Sequence, residues 1–219
     1  MKLQPVALHE RVEAIDLMRG FALLGILLIN MPTFQSPFSY IDPYTWFAGK
    51  WDTEMFAFLD IFVQASFYPL FAMLFGYGLA MQFMKAKAKQ QPFVPLAAKR
   101  LLFLLLIGIV HAFLIWYGDI LITYAVTGFL LIGLLRLPPA WLLGLAALLY
   151  TIPQAFMALL LFIAVSVDPN FYTGMQEVQS SLAAYPTGTF AEIFRQRLED
   201  WLHSNNPSVY FLLIITILP

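Results

Sequence analysis

Apolar runs long enough to cross a membrane recur along the chain. A transmembrane helix needs about 20 mostly apolar residues, and uncharged runs that approach or exceed this length cover residues 20–41, 61–84, 101–118, 120–135 and 137–167. Asp119 separates the third run from the fourth. A single helix over residues 101–135 would be roughly 52 Å long, well beyond a hydrocarbon core of about 30 Å. The pattern therefore predicts two spans here and five in all.

Residues 209–219 begin a further apolar stretch that is too short to cross a membrane. We interpret it as the start of a sixth helix. The predicted fold class is all-α, a polytopic transmembrane helical bundle with about five full spans and a truncated sixth. Residues 1–219 are predicted to form a single transmembrane domain, the N-terminal part of a longer protein.

Segment 168–208 is the longest polar stretch of the chain. Apolar residues recur in it at helical spacing, which is typical of an amphipathic helix at a membrane surface; they are Ile193, Phe194, Leu198, Trp201 and Leu202. Two interpretations are open. The helix lies on the outer membrane surface, or it forms a lid over a substrate entrance.

The distribution of basic residues predicts the orientation. If every run spans the membrane, one side carries Lys2, Arg11, Arg19, Lys85, Lys87, Lys89, Lys99, Arg100 and Arg136, and the other carries Lys50, Arg195 and Arg197. Cytoplasmic loops carry an excess of lysine and arginine. We therefore predict a multi-pass protein of the cell membrane (the inner or plasma membrane) with a cytoplasmic N-terminus. Segment 168–208 is then an extracytoplasmic loop.

Composition supports a membrane protein and excludes several other classes. Hydrophobic residues make up 61% of the chain and charged residues 11%, against about 25% charged residues in soluble domains. The net charge of −1 offers no basic surface to nucleic acid. The chain has no cysteine, and its three histidines lack metal-ligand spacing. We predict the lipid bilayer as a partner and neither a metal site nor a bound cofactor, and homo-oligomerisation is left open.

Polar residues at membrane depth are costly and are therefore candidates for function. In the first span, Arg19 and Asn30 are eleven residues apart and share nearly one helix face, and Asp16 lies one turn before Arg19. Asp16 and Arg19 are candidate substrate-binding residues, and Asn30 is a candidate site residue. The alternatives are that Arg19 anchors the helix at the membrane surface and that Asn30 only hydrogen-bonds a neighbouring helix.

The third span holds the strongest single candidate, His111. It follows Arg100 by eleven residues on nearly the same face, and Asp119 lies beyond it at the turn. A histidine held by a carboxylate can act as a general base, although a histidine in a span can also be a purely structural donor. His111 and Asp119 are candidate catalytic residues. Arg100 and Asp60, the latter near the outer end of the second span, are candidate substrate-binding residues; Asp60 could instead simply be solvated.

Three ordered stretches of sequence resemble the YeiB-like family of membrane proteins, a domain of unknown function. They are Arg11-x-x-Ala14-Ile15-Asp16-Leu17-Met18-Arg19-Gly20 through Asn30, then Phe67-Tyr68-Pro69-Leu70-Phe71 through Gly78, and then Arg100-Leu101-Leu102 through His111 with Trp116-Tyr117-Gly118-Asp119 and Tyr124-Ala125. The resemblance covers the N-terminal half of the family's architecture.

The YeiB-like family resembles, more distantly, the transmembrane acyltransferases, including the heparan-alpha-glucosaminide N-acetyltransferase family. This likeness rests on Arg19-Gly20 at the start of the first span and on Asn30 near its far end. It implies an acyl group taken from cytoplasmic acyl-CoA and delivered to an acceptor across the membrane. The lysosomal enzymes place a histidine shortly after that asparagine, whereas residues 31–50 contain none. His111 would have to supply the base from another helix.

These features lead to three functional hypotheses. In the first, Arg19 and the basic stretch 85–100 attract acyl-CoA, and Asn30 polarises the acyl carbonyl. His111, oriented by Asp119, then deprotonates an unknown small-molecule or glycan acceptor. The second hypothesis is a transporter or permease whose pathway the same polar residues line. The third is a non-catalytic membrane component.

Overall fold

The computed structural model describes residues 13–47, 49–168 and 175–205, and the regular secondary structure in these residues is entirely helical. In chain order the α-helices are α1 (Glu13–Gln35), α2 (Pro43–Trp46), α3 (Lys50–Phe58), α4 (Ala65–Ala88), α5 (Phe93–Val110), α6 (Leu121–Leu134), α7 (Pro139–Val167), α8 (Met175–Thr187) and α9 (Phe190–Ser204). A 3₁₀ turn covers Phe38–Tyr40, and π-helical segments cover Leu59–Gln64 and His111–Ile115.

Four helical runs in the described part of the chain are long and apolar enough to cross a membrane. They are Glu13–Gln35, Lys50–Ala88, Phe93–Ile115 and Pro139–Val167. This finding confirms the predicted all-α transmembrane fold class. Helix α6 takes the place of the fourth predicted span with only 14 residues, which is about 21 Å against a core of about 30 Å. The predicted sixth span lies outside the described residues.

The second membrane-length run differs from its prediction at its beginning. It starts at Lys50 and passes through the π-helical segment Leu59–Gln64 without interruption. Asp60 therefore lies inside a long helical run and not near its start. The hydrophobic pattern does not predict a start at Lys50, because residues 50–60 contain Asp52 and Glu54 and so do not resemble an apolar span.

A close contact at a glycine joins α1 to α4. A Cβ atom at Gly25 would overlap the ring of Phe67, and Phe21 packs edge-on against the same ring with 5.2 Å between centroids. Small residues permit such approaches in membranes, where packing rather than water exclusion drives helix association. The contact fixes α1 beside the first turns of α4.

Helices α5 and α6 form an antiparallel hairpin. A Cβ atom at Gly108 would lie 2.8 Å from the backbone nitrogen of Ile122, and one at Gly128 would lie 2.6 Å from the Leu101 side chain. The C-terminal part of α5 thus meets the N-terminal part of α6, and the earlier part of α5 meets the later part of α6. Leu101 also belongs to a buried apolar cluster formed by α4, α5 and α6; the cluster is Leu79, Ala86, Phe93, Ala97, Leu101 and Ile132.

Helices α8 and α9 pack on the end of the bundle where α5 ends and α6 begins. Phe113 of the π-helical segment packs against Trp201 at 5.3 Å and against Phe194 at 6.4 Å between ring centroids. A guanidinium N–H of Arg197 donates to the Leu114 carbonyl at 2.7 Å. We call α8 with α9 the cap, and the end of the bundle that it covers the capped end.

A buried carboxylate holds the cap together. Asp200 is 1% exposed and accepts hydrogen bonds from Tyr40 (2.8 Å), Tyr185 (2.6 Å) and Gln196 (2.7 Å). These donors come from the 3₁₀ turn, α8 and α9. Burial, and then the hydrogen bond to Asp200, raises the pKa of both Tyr40 and Tyr185 far above the ordinary value, so both hydroxyls remain donors. The α9 helix lies where the amphipathic helix was predicted; its side of the membrane stays a prediction.

We expect Asp200→Ala to loosen the cap, because three donors lose their acceptor together. Each unsatisfied buried donor costs about 1–3 kcal/mol, so amide hydrogen exchange in α9 should quicken by at least tenfold, or roughly 1.4 kcal/mol. Glu199→Gln is the matched control, since it removes only the exposed Arg195–Glu199 ion pair at 3.2 Å. Unchanged protection in Asp200→Ala would contradict this account.

Candidate active site

The capped end contains a histidine–carboxylate pair. His111 Nδ1 lies 2.9 Å from Asp119 Oδ1, the Asp119 side chain is 0% exposed and the His111 side chain is 30% exposed. The carboxylate therefore fixes one ring nitrogen, Nδ1, and leaves Nε2 as the nitrogen for any proton transfer. The predicted association of these two residues is present in the structure.

A π-helical segment places the histidine. The N–H of Trp116 donates to the His111 carbonyl at 2.8 Å, which closes a wide i to i+5 turn at the end of α5. Trp116 itself has φ −157° and ψ 131°, so the chain leaves the helix in an extended conformation. Such π-helical turns are rare and recur at functional sites. The apolar pattern of residues 101–118 does not indicate this turn.

The carboxylate of Asp119 also forms part of the fold. Its Oδ2 accepts the Ile122 N–H at 2.8 Å, one of the donors that the start of a helix leaves without an intrahelical acceptor. The positive end of the α6 dipole stabilises the negative charge as well. The contact with the start of α6 thus holds the Asp119 carboxylate in one position independently of His111. A carboxylate that orients an imidazole must be held in this way.

Aromatic rings form a wall beside His111. Trp116 packs edge-on against the imidazole at 6.3 Å and against Phe34 of α1 at 4.7 Å between centroids. The Trp116 ring overlaps the position that a Cβ atom would occupy at Gly118, so glycine is needed there. The buried indole Nε1 of Trp116 has no hydrogen-bond partner in the described part of the chain. Phe34 connects this wall to the helix that carries Asn30.

Asn30 pairs with a tyrosine on α4. Tyr68 donates its hydroxyl proton to Asn30 Oδ1 at 2.9 Å, so the amide group is held through its oxygen and its NH₂ remains a donor. Asn30 lies one turn before Phe34 and therefore near the wall. The structure shows no hydrogen bond from Asn30 to His111 or Asp119.

Asp60 lies on the π-helical segment that precedes α4. Its Oδ2 accepts the Tyr44 hydroxyl proton at 3.0 Å, and the residue is only half-buried. Since α1 runs antiparallel to α4, Asp60 belongs to the same end of the bundle as Asn30. No hydrogen bond or ion pair connects it to the histidine pair.

Arg19, Asp16 and Arg100 lie toward the opposite end. An Arg19 N–H group reaches Asp16 at 3.4 Å, another reaches the Leu74 carbonyl at 3.4 Å, and a Cβ atom at Gly78 would lie 2.9 Å from the guanidinium. Arg100 is exposed on α5. Eleven helical residues separate Arg19 from Asn30 and Arg100 from His111, about 16 Å along each axis. The predicted site residues therefore form two groups and not one.

Three residues important to this geometry were not predicted as site residues. Tyr68 and Trp116 stand inside the motifs that resemble the YeiB-like family but carried no assigned role, and Asp200 was one charge among several in segment 168–208. Their partners are distant in sequence or packed as rings, so periodicity gives no signal for them. The residues described by the structure contain no cluster of three or more His, Cys, Asp or Glu that could hold a metal ion.

Sequence comparison finds relatives that are described as uncharacterized. The chain is 35% identical over 223 residues to YxaH of Bacillus subtilis (strain 168), covering 95% of this chain and 56% of that protein. It is 35% identical over 169 residues to YeiB of Escherichia coli (strain K12), covering 75% and 42%. These similarities support a YeiB-like family for this chain.

A third relative agrees with the first two. A 39.9 kDa protein in the amylase 3′ region of Bacillus acidopullulyticus is 30% identical over 190 residues, which is 85% of this chain and 52% of that protein. The chain thus spans about half the length of the curated relatives that it matches. No family model matches the sequence, and no solved structure matches it.

We expect Asp119→Ala to destabilise the α5–α6 hairpin, because both His111 and the Ile122 N–H lose their acceptor. The loss should be about 2–4 kcal/mol in the free energy of unfolding, measured by thermal or denaturant unfolding in detergent. Asp60→Ala is the control, since the Asp60 carboxylate accepts a single exposed hydrogen bond, and a change below about 1 kcal/mol is expected. Equal losses in the two variants would show that Asp119 has no special structural role.

Proposed function

We propose that this protein is a membrane acyltransferase that moves an acyl group from acyl-CoA to a hydroxyl or amine acceptor at the capped end. One observation carries the proposal, the 2.9 Å contact between His111 Nδ1 and the buried Asp119 carboxylate. A carboxylate in this position fixes the tautomer of the imidazole and stabilises the imidazolium that forms when Nε2 takes a proton. The resemblance to transmembrane acyltransferases supplies the nature of the donor.

The proposed reaction is a proton-assisted attack on a thioester. His111 Nε2 removes the proton of the acceptor as its oxygen or nitrogen bonds to the acyl carbon. The carbon–sulfur bond then breaks, and the CoA sulfur takes that proton from His111 and leaves as the thiol. The Asn30 NH₂ donates to the carbonyl oxygen while it carries negative charge. The Tyr68 hydroxyl supports this role, since it engages the amide oxygen and leaves the NH₂ group as the donor.

Donor binding is assigned to the opposite end of the bundle. There Arg19, Arg100 and the exposed Lys99 supply positive charge for the phosphates of CoA, and Asp16 holds Arg19 in place. Asp60, half-buried at the capped end, is assigned to the acceptor. The two ends are about 16 Å apart along α1, a separation that suits a donor whose reactive thioester sits on a long flexible arm.

Acetyl-CoA binding and turnover, measured separately, test this assignment. The chain contains no cysteine, so a thiol reagent reports released CoA without background from these residues. We expect Arg19→Ala to weaken acetyl-CoA binding at least tenfold, or about 1.4 kcal/mol. His111→Gln should keep binding and lose roughly 10²–10⁴-fold in turnover, the usual contribution of a general base. Arg195→Ala, on the exposed face of the cap, should change neither quantity.

Two outcomes would reject the acyltransferase proposal. The first is no binding of acetyl-CoA at millimolar concentration by the purified protein. The second is uptake of a solute into proteoliposomes without thiol release, which would favour the transporter hypothesis with the same polar residues along a pathway. Binding that persists in both Arg19→Ala and Arg100→Ala would move the donor site away from these arginines.

The orientation that this function needs is a cytoplasmic N-terminus with the cap on the outside. Ser180 is exposed on α8, so Ser180→Cys creates a single thiol on the cap. We expect an impermeant maleimide to label this thiol in intact cells without permeabilisation. Labelling that requires disrupted membranes would place the cap in the cytoplasm.

A further inference from the structure

Helix α9 presents three different faces. Gln196 and Asp200 are buried on the face that packs inward. A second face carries Glu192, Arg195 and Glu199, with Arg195 and Glu199 paired at 3.2 Å. The third face carries exposed apolar side chains, and these are Phe190 (69% exposed), Phe194 (38%), Leu198 (37%) and Leu202 (49%).

The exposed apolar residues form a continuous row. They are spaced four residues apart, so each lies about 40° around the helix from the previous one, and together they occupy one side between the buried face and the charged face. We call these four residues the apolar row. Single exposed apolar residues are ordinary, whereas a contiguous apolar strip bounded by charges indicates contact with lipid or protein.

The apolar row continues the surface of a membrane-length helix. Phe194 packs against Phe113 at 6.4 Å between ring centroids, and the neighbouring Arg197 donates to the Leu114 carbonyl. Leu114 and Ile115 are 48% and 60% exposed, and they end the run Phe93–Ile115 that is long and apolar enough to span a membrane. The row and the end of this span therefore adjoin one another.

We propose that the apolar row lies in the lipid surface at the capped end, with acyl chains against its four side chains. The opposite-charge pair on the neighbouring face then lies among headgroups and water, the arrangement of an interfacial amphipathic helix. The Asp200 hydrogen bonds keep α9 fixed to α8 and to the 3₁₀ turn while the row contacts lipid. This assignment is independent of the proposed reaction.

Single spin labels on α9 test the lipid contact. The chain has no native cysteine, so Leu198→Cys and Glu199→Cys each give one nitroxide site, and these sites differ by about 100° around the helix. The protein is reconstituted in vesicles of phosphatidylethanolamine and phosphatidylglycerol. Collisions with oxygen report lipid, and collisions with a water-soluble nickel chelate report water. We expect the oxygen-to-nickel ratio at position 198 to be several-fold higher than at position 199.

A second matched pair repeats the measurement in case one of the first two variants fails to fold. Phe190→Cys should resemble Leu198→Cys, and Glu192→Cys should resemble Glu199→Cys, since positions 190 and 192 are both exposed and differ by about 160° around the helix. High nickel access at positions 190 and 198 would show that the row faces water and would overturn the proposal. Low access to both reagents at these positions would show that protein, such as a second copy of the chain, covers the row, and it would overturn the proposal equally.

Discussion

The carboxylate of Asp119 connects the parts of this structure that matter most. One of its oxygens contacts His111 at the end of α5, and the other caps the first turn of α6. An uncompensated carboxylate is costly to bury, and here two hydrogen-bonding partners and the α6 dipole compensate it. The same contacts hold the hairpin closed and aim the imidazole. The geometry of the site therefore follows from the way in which Asp119 caps the first turn of α6.

The candidate site residues are divided between the two ends of the bundle. Arg19 and Asp16 pair near the beginning of α1, whereas Asn30, Tyr68 and the histidine pair lie toward the capped end. Between them the helices meet through glycine and aromatic contacts, such as that of Gly25 with Phe67. Because such contacts provide no polar partner, a charged group in the middle of the bundle would find no compensation. The division follows from that cost.

The sequence was sufficient for the fold class and for the contact between His111 and Asp119. Long uncharged runs leave helices as the only way to satisfy the backbone in lipid, and Asp119 at the break between two runs had to lie near the end of the span that carries His111. The start of the second helical run could not be predicted, because Asp52 and Glu54 interrupt its apolar pattern. Nor could the Asp200 cluster, whose Tyr40 donor is 160 residues away in sequence. Contacts of that range depend on how the elements assemble and not on local periodicity.

The length of α6 has a consequence for the bilayer itself. A helix of 14 residues is about 21 Å long, roughly 9 Å less than an average hydrocarbon core. Either the membrane thins around the hairpin or one end of α6 is recessed below the headgroups. If the recessed end is the turn at residues 116–120, its backbone lies at hydrocarbon depth, where non-helical chain must be covered by protein or wetted by water. Tyr117 and Asp119 in this turn are already buried. The turn of the hairpin and His111 would then lie below the level of the lipid headgroups, although the run Phe93–Ile115 is long enough to cross the membrane.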